Sequence, residues 1–283
     1  MYEKQVSAVE GAEVVFRLGD PGHAFAGVRL WQELGIPADQ LEFKPVEYGW
    51  ELRLPRPSVH RMEYLFEVGD RSITDPTNPR KVGGAFGEHS WLPLPGYVEP
   101  AWISVPAVPS VLTGLTVDAS PVGPIDVQVW APDGVQPETE LPLLMSHDGP
   151  EFAAYAGLTH YVGAQVAIGT LPPLRLALIR PGSRNLWYAA NPAYAEALTQ
   201  NVLPAVTTAY ASRRPVLMGA SLGGLAALHA EWHYPGTFDG LFLQSGSFFT
   251  LETDPQESKF EYYAEVTEFV GTVLAAKEAP SRT

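Results

Sequence analysis

The chain has 283 residues, with 18 Lys and Arg against 32 Asp and Glu, and its formal net charge is -14 at pH 7. This acidic balance argues against a nucleic-acid partner, because affinity for nucleic acid comes mainly from Lys and Arg on phosphates. Cysteine is absent from the sequence, which excludes disulfides, thiolate metal sites and a cysteine nucleophile. The sequence has no apolar run of about 18 residues and no signal-peptide core at its start, so we expect a cytoplasmic protein without a membrane partner.

The first hundred residues predict antiparallel β-structure. Short apolar or alternating segments bounded by Gly and Pro turns predict strands at residues 14–18, 50–54 and 62–68. Five prolines between residues 93 and 109 then predict a stiff, extended connection. We therefore expect a small antiparallel β-sandwich over residues 1–95, a Pro-rich linker over 96–112 and a second domain over 113–283.

The second region alternates strand and helix patterns. Strands are predicted at residues 125–130, 141–146, 174–179, 215–218 and 241–243. Helices are predicted at residues 151–166, 191–210, 222–233 and 260–276. This alternation is typical of βαβ units, so the expected fold class is α/β with a mostly parallel sheet covered on both faces.

One motif in this region carries chemistry. The pentapeptide Gly219-Ala220-Ser221-Leu222-Gly223 has the form G-x-S-x-G and lies between a predicted strand and a predicted helix. A serine at such a turn adopts a strained conformation that exposes its Oγ above the sheet, and small flanking residues let the backbones approach. Ser221 is therefore the candidate nucleophile, and the N–H of Leu222 is a candidate oxyanion donor. The alternative is a glycine-rich turn whose serine only caps the helix.

A second oxyanion donor is expected from the loop after an earlier strand. In this chain that loop is His147-Asp148-Gly149-Pro150-Glu151. Proline has no N–H, so the donor is Gly149 or Glu151, unless the loop is a simple turn. His147 is not expected to be the base, because it precedes the serine and neighbouring residues at a strand end point in opposite directions.

Several segments together resemble the esterase D and enterochelin-esterase family of α/β-hydrolases. They are residues 215–249, 147–152, 180–188 with Asn191-Pro192, and, in the amino-terminal region, 63–66 and 75–79. The resemblance implies an α/β-hydrolase domain preceded by an immunoglobulin-like early-set domain, and a serine hydrolase of carboxylic esters with Ser221 as nucleophile. Members of the family act on siderophore, carbohydrate and other acyl esters, so the resemblance leaves the small-molecule ester open.

The chain departs from this family in one respect. The family order of catalytic groups is Ser, then Asp or Glu, then His, whereas all seven histidines here lie at or before position 233. We therefore expect a carboxy-terminally truncated sheet, a missing acid and histidine, and weak activity. A non-catalytic ligand-binding protein and a fragment without function are the alternatives. The oligomeric state is open.

Other residues are expected to border the substrate crevice, because loops after parallel strands form it. These candidate substrate-binding residues are His147, Asp148, Glu151, Arg184, Trp187, Tyr188 and Ser245. His229 and His233 have a metal-like i, i+4 spacing, but a third ligand is not evident, so helix packing is the expected role. We expect no metal and no cofactor.

Overall fold

The computed structural model describes residues 6–278, and the chain divides after Pro100 into two compact units. The strands of the first unit are β1 (Ala8–Glu10), β2 (Glu13–Gly19), β3 (Val28–Trp31), β4 (Lys44–Val46), β5 (Gly49–Pro55), β6 (Arg61–Val68), β7 (Arg71–Ile73), β8 (Lys81–Gly84) and β9 (Gly87–Pro93). A 3-10 helix lies at Ala38–Gln40. The predicted strands at 14–18, 50–54 and 62–68 are confirmed as β2, β5 and β6.

The first unit contains two antiparallel sheets. Their strand orders are β1-β2-β5-β4 and β3-β6-β9-β8, with β7 paired to β6. Strand β6 buries alternate side chains, and the ring of Tyr64 meets that of Phe16 on β2 edge-on, with centroids 4.8 Å apart. The two sheets therefore share one apolar core. An immunoglobulin-like topology for this unit stays a prediction.

The second unit combines one sheet with helices. Its strands are β10 (Ser110–Asp118), β11 (Pro124–Pro132), β12 (Leu141–Ser146), β13 (Arg175–Ile179), β14 (Ser212–Ala220) and β15 (Gly240–Gln244). Its helices are α1 (Gly149–Tyr155), α2 (Leu158–Ala167), α3 (Arg184–Tyr188), α4 (Pro192–Glu196), α5 (Leu203–Ala209), α6 (Leu222–His233) and α7 (Tyr263–Ala275). A π-helical segment at Ala197–Val202 joins α4 to α5, and 3-10 helices lie at Ala101–Ser104 and Pro255–Lys259.

The sheet of the second unit is mixed rather than wholly parallel. Its order is β10-β11-β13-β12-β14-β15, in which β13, β12, β14 and β15 are parallel to one another and β10 and β11 pair antiparallel. Strand β10 was not predicted. It begins inside the expected linker of residues 96–112 and pairs with β11 from Ser110 to Asp118. The carboxyl ends of the four parallel strands meet at one edge of the sheet, where ligand sites of such folds lie.

The four predicted helical regions are helical, and two of them differ in detail from the prediction. The predicted helix 151–166 is two helices, because the chain turns at Gly157 with a left-handed φ of 65°. The predicted helix 191–210 begins as expected, since Asn191 Oδ1 accepts from the N–H of Tyr194 at 3.1 Å. Its middle turn is π-helical. Within residues 6–278, no helix combines the length and the apolar character that crossing a bilayer requires.

A buried arginine stabilises the end of the sheet opposite to the carboxyl ends of the parallel strands. Arg175 opens β13 and is almost completely buried. Its guanidinium donates to the carbonyls of Thr139 and Ala211 at 2.7 and 2.6 Å and to that of Gln136 at 2.8 Å. Burial lowers the pKa of Arg175. The segments that lead into β12 and β14 are thereby tied to β13.

We expect Arg175→Met to lower the free energy of unfolding by about 3 kcal/mol, because three backbone carbonyls lose the charged donor that the buried Arg175 supplies. Urea unfolding followed by tryptophan fluorescence measures this change. The control is Arg213→Met, which removes an exposed ion pair to Glu140 (3.4 Å) and should cost under about 1 kcal/mol. Equal effects of the two substitutions would contradict the role given to Arg175.

Candidate active site

The turn between β14 and α6 has the geometry that the G-x-S-x-G motif predicts. Ser221 lies between the two elements with φ 54° and ψ -126°, and its side chain is exposed. A Cβ on Gly219 would lie 2.2 Å from the carbonyl oxygen of Gly223, so only glycine allows this approach. A non-glycine residue at positive φ costs of order 1–3 kcal/mol and persists only where its surroundings impose it.

Hydrogen bonds impose this conformation on the backbone of Ser221. Its N–H donates to the carbonyl of Gln244 at 3.0 Å, and its own carbonyl accepts from the N–H groups of Gly224 and Ser247 at 3.0 and 3.1 Å. Leu222 opens α6, and N–H groups in the first turn of a helix have no acceptor within the helix. The N–H of Leu222 is thus positioned beside the side chain of Ser221.

The loop after β12 is fastened to the same turn. The N–H of His147 donates to the carbonyl of Met218 at 2.9 Å, and His147 Nδ1 donates to the carbonyl of Gly223 at 2.8 Å. A Cβ on Gly149 would lie 2.3 Å from Cα of Leu178, so glycine is required there by the close approach of β13. The backbone around Gly149 therefore has little freedom relative to Ser221.

His147 itself is fully buried, which corrects the expectation that it borders the substrate crevice. Burial lowers its pKa to about 4. Its ring lies against those of Tyr188 and Tyr194, at centroid distances of 4.7 and 5.6 Å. Among the described residues its Nε2 has no hydrogen-bond partner. The geometry therefore assigns a neutral imidazole with the proton on Nδ1, which links two loops and does not act as a base for Ser221.

Asp148 and Arg184, predicted as separate ligand contacts, form a bidentate ion pair. Arg184 Nε lies 2.9 Å from Oδ1 of Asp148, and Nη2 lies 2.8 Å from Oδ2. The hydrogen bonds that Arg184 donates to Asp148 raise the pKa of Arg184. The Asp148 side chain is 12% exposed and that of Arg184 is 35% exposed. Arg184 is therefore held in place by a nearly buried carboxylate while its side chain stays partly exposed.

Trp187 and Tyr188 do not fit the expected contact with substrate. They lie in the helix α3 rather than in a loop, and both side chains are buried. Trp187 stacks on Tyr194 at a centroid distance of 5.4 Å, and a Cβ on Gly182 would clash with the Trp187 ring. The hydroxyl of Tyr188 accepts from the N–H of Asp148 at 3.3 Å. Tyr188 therefore supports the loop of Asp148, and Trp187 packs against Tyr194.

The residue that touches the candidate nucleophile was not predicted. Oγ of Ser247 lies 3.0 Å from Oγ of Ser221, whereas the predicted Ser245 is exposed and has a positive φ of 45°. Gly246 between the two serines indicates a sharp turn after β15, and that turn directs the second serine back to the site. Glu151 is partly exposed in the first turn of α1.

The two histidines of α6 lie away from this site. The rings of His229 and His233 are 4.4 Å apart, and that of His229 meets Phe269 of α7 at 4.8 Å. The expected helix-packing role is confirmed by these contacts. Over residues 6–278, no group of three or more His, Cys, Asp or Glu side chains is arranged to hold a metal ion.

The buried His147 predicts a pH dependence of stability. Its pKa falls from the ordinary value of 6.5 to about 4, so the unfolded chain binds a proton in this range that the folded chain does not. The stabilisation is complete above pH 6.5 and is lost as the pH falls towards 4. From about pH 7.5 to about pH 5, we expect His147 to lower the free energy of unfolding by about 2 kcal/mol.

Urea titrations at the two pH values measure this loss. In His147→Gln the drop should be smaller than in the parent by about 2 kcal/mol. His160→Gln, which changes a histidine that is not fully buried, is the control and should keep the parental drop. An unchanged drop in His147→Gln would contradict the assignment.

Comparisons with known proteins agree with this geometry. A family model described as putative esterase matches residues 119–268, which is more than half of the chain. Over 114 residues the chain is 36% identical to the iron(III) enterobactin esterase of Dickeya dadantii (strain 3937), a match covering 38% of this chain and 26% of that protein. The match thus spans about a quarter of the length of this curated relative.

Solved structures share the fold. The enterobactin esterase of Shigella flexneri, solved in the presence of enterobactin, has a TM-score of 0.70 at 22% identity and covers 83% of this chain and 71% of that one. The ferric enterobactin esterase of Salmonella typhimurium has a TM-score of 0.69 at 21% identity and covers 83% and 72%. At these identities the likeness supports an α/β-hydrolase-type fold. The chain belongs to the putative esterase family and is enterochelin-esterase-like, as its motifs predicted.

Proposed function

We propose that the chain is a serine hydrolase of carboxylic esters and that Ser221 is its nucleophile. The observation that carries this proposal is the exposed Ser221 side chain on a backbone held at φ 54° between a parallel strand and a 12-residue helix. A strained, solvent-facing hydroxyl at this position is typical of acyl-transfer sites. Membership of an esterase family supports the same reaction class.

The proposed reaction is acyl transfer to Ser221 Oγ. Attack on the ester carbonyl gives a tetrahedral intermediate, loss of the alcohol leaves an acyl-enzyme, and water then releases the acid. The N–H groups of Leu222 and Gly149 would donate to the oxyanion. Their spacing is supported by the bond from His147 Nδ1 to the Gly223 carbonyl, because this bond joins the two loops that carry the donors.

Among the described residues, no side chain is placed and protonated so that it could act as the general base for Ser221. Oγ of Ser221 meets the hydroxyl of Ser247 at 3.0 Å, and a serine hydroxyl is far too weak a base to take the proton. The imidazoles of His147 and His229 are engaged in the core. We therefore expect ester hydrolysis by these 283 residues to be slow, at the level that oxyanion stabilisation and binding alone provide.

The same observation favours a second candidate function, which is ligand binding without turnover. In that case the crevice beside Ser221 would bind an ester and release no alcohol. Assay of a short aryl ester at high protein concentration separates the two functions. Release of alcohol by the parent, at a rate that Ser221→Ala abolishes, would exclude binding alone.

For the substrate, we propose a small-molecule ester of the siderophore type. The curated relative and the solved structures reported above are esterases of enterobactin. The partly exposed side chain of Arg184, whose guanidinium is held by Asp148, would suit an anionic or aromatic group of such an ester. Glu151 and Ser245 are further proposed contacts. Carbohydrate and other acyl esters are the alternatives, and the cytoplasmic location stays a prediction.

Labelling with a fluorophosphonate tests the nucleophile directly. We expect the parent to gain one phosphonyl group on Ser221 slowly, during prolonged incubation, because its hydroxyl is exposed and oriented while solvent or buffer must take its proton. Intact-mass measurement and peptide mapping locate the adduct. Ser221→Ala should remain unmodified, whereas Ser258→Ala, which removes another exposed serine, should label like the parent. Labelling of Ser221→Ala to the same extent would overturn the proposal.

A further inference from the structure

Ser247 lies in the loop that follows β15, at the edge of the sheet where Ser221 lies. It is 7% exposed, in contrast to Ser245 two residues before it. The chain reaches this position through a tight turn, in which the N–H of Phe248 donates to the carbonyl of Gly246 at 2.8 Å. A Cβ on Gly246 would lie 2.4 Å from the Phe248 ring. The loop therefore has a defined shape that a side chain at position 246 would disturb.

Ser247 makes two contacts with the same residue. Its N–H donates to the carbonyl of Ser221 at 3.1 Å, and its Oγ lies 3.0 Å from Oγ of Ser221. The preceding strand adds a third link, because the carbonyl of Gln244 accepts the N–H of Ser221 at 3.0 Å. The loop thus holds both the backbone and the side chain of Ser221.

The hydroxyl contact has a consequence for the rotamer of Ser221. A serine side chain has three staggered χ1 states, and an exposed one samples them freely unless a bond selects one. Ser247 is buried, so its own rotamer is restricted and its hydroxyl needs a hydrogen-bond partner. Ser221 Oγ is the partner that the geometry provides.

We propose that Ser247 is a positioning residue that holds Ser221 Oγ in one rotamer for attack on the ester carbonyl. This inference rests on the proposed function of Ser221. Before attack, one hydroxyl donates to the other. As hydroxide or a buffer base from solvent removes the proton of Ser221, the Ser247 O–H donates to the developing alkoxide, and Ser247 keeps its proton throughout.

The test is the rate of fluorophosphonate labelling of Ser221 at increasing reagent concentration, which separates the maximal rate from the half-saturating concentration. We expect Ser247→Ala to lower the maximal rate about tenfold, the loss that one hydrogen bond explains, and to leave half-saturation unchanged. Ser247→Thr retains the hydroxyl and should label within about threefold of the parent. Ser258→Ala is the control and should match the parent.

The outcomes separate this inference from the proposed function. A maximal rate of Ser247→Ala equal to that of the parent would overturn the positioning role and leave the nucleophile intact. A parent that is not labelled at Ser221 would overturn both. If Ser247→Ala loses its near-ultraviolet circular dichroism, Ser247→Cys replaces it, since a thiol fills the space but is a weak donor. A parental rate in that variant would also contradict the inference.

Discussion

The turn at Ser221 is the constraint on which the rest of the site depends. A serine with φ 54° does not hold that conformation alone, and the fold supplies what it needs from three neighbouring strands. Gly219 near the end of β14 lets the first turn of α6 approach. Gln244, the last residue of β15, accepts the N–H of Ser221, and Ser247 after β15 donates to its carbonyl. The loop after β12 contributes His147. The parallel order of these strands is what brings the three loops to one edge.

Buried polar groups near Ser221 stabilise the loops around it, whereas the exposed ones face the crevice. His147 is neutral because it is buried, and this neutrality lets it donate from Nδ1 to the Gly223 carbonyl without a counter-ion. Asp148 carries its charge beside it and is compensated by the two hydrogen bonds of Arg184. Tyr188 contacts both residues, since its ring packs against His147 and its hydroxyl accepts from the N–H of Asp148. At this edge Ser221 and Ser245 are exposed and Arg184 is partly exposed, and we propose that the chemistry takes place beside them.

Much of the second unit could be predicted from sequence, because strand and helix periods are local signals. β12 and α6 match their predicted ranges, and the elbow motif pointed to Ser221. Strand β10 lies directly after the Pro-rich stretch and most of its side chains are exposed, so its pairing with β11 rather than a buried face defines it as a strand. The contact between Ser221 and Ser247 spans 26 residues and depends on strand order, which periodicity does not reveal. The burial of His147, Trp187 and Tyr188 depends likewise on packing between elements.

The central claim is that Ser221 Oγ and the N–H groups of Leu222 and Gly149 surround one reacting carbon. A crystal structure of the phosphonylated protein tests it most directly, since the tetrahedral phosphorus mimics the acyl-transfer intermediate. The account predicts a bond from Oγ of Ser221 to phosphorus, with the phosphonyl oxygen about 2.7–3.1 Å from both N–H groups. A phosphonyl oxygen directed into solvent, or an adduct on another serine, would contradict it.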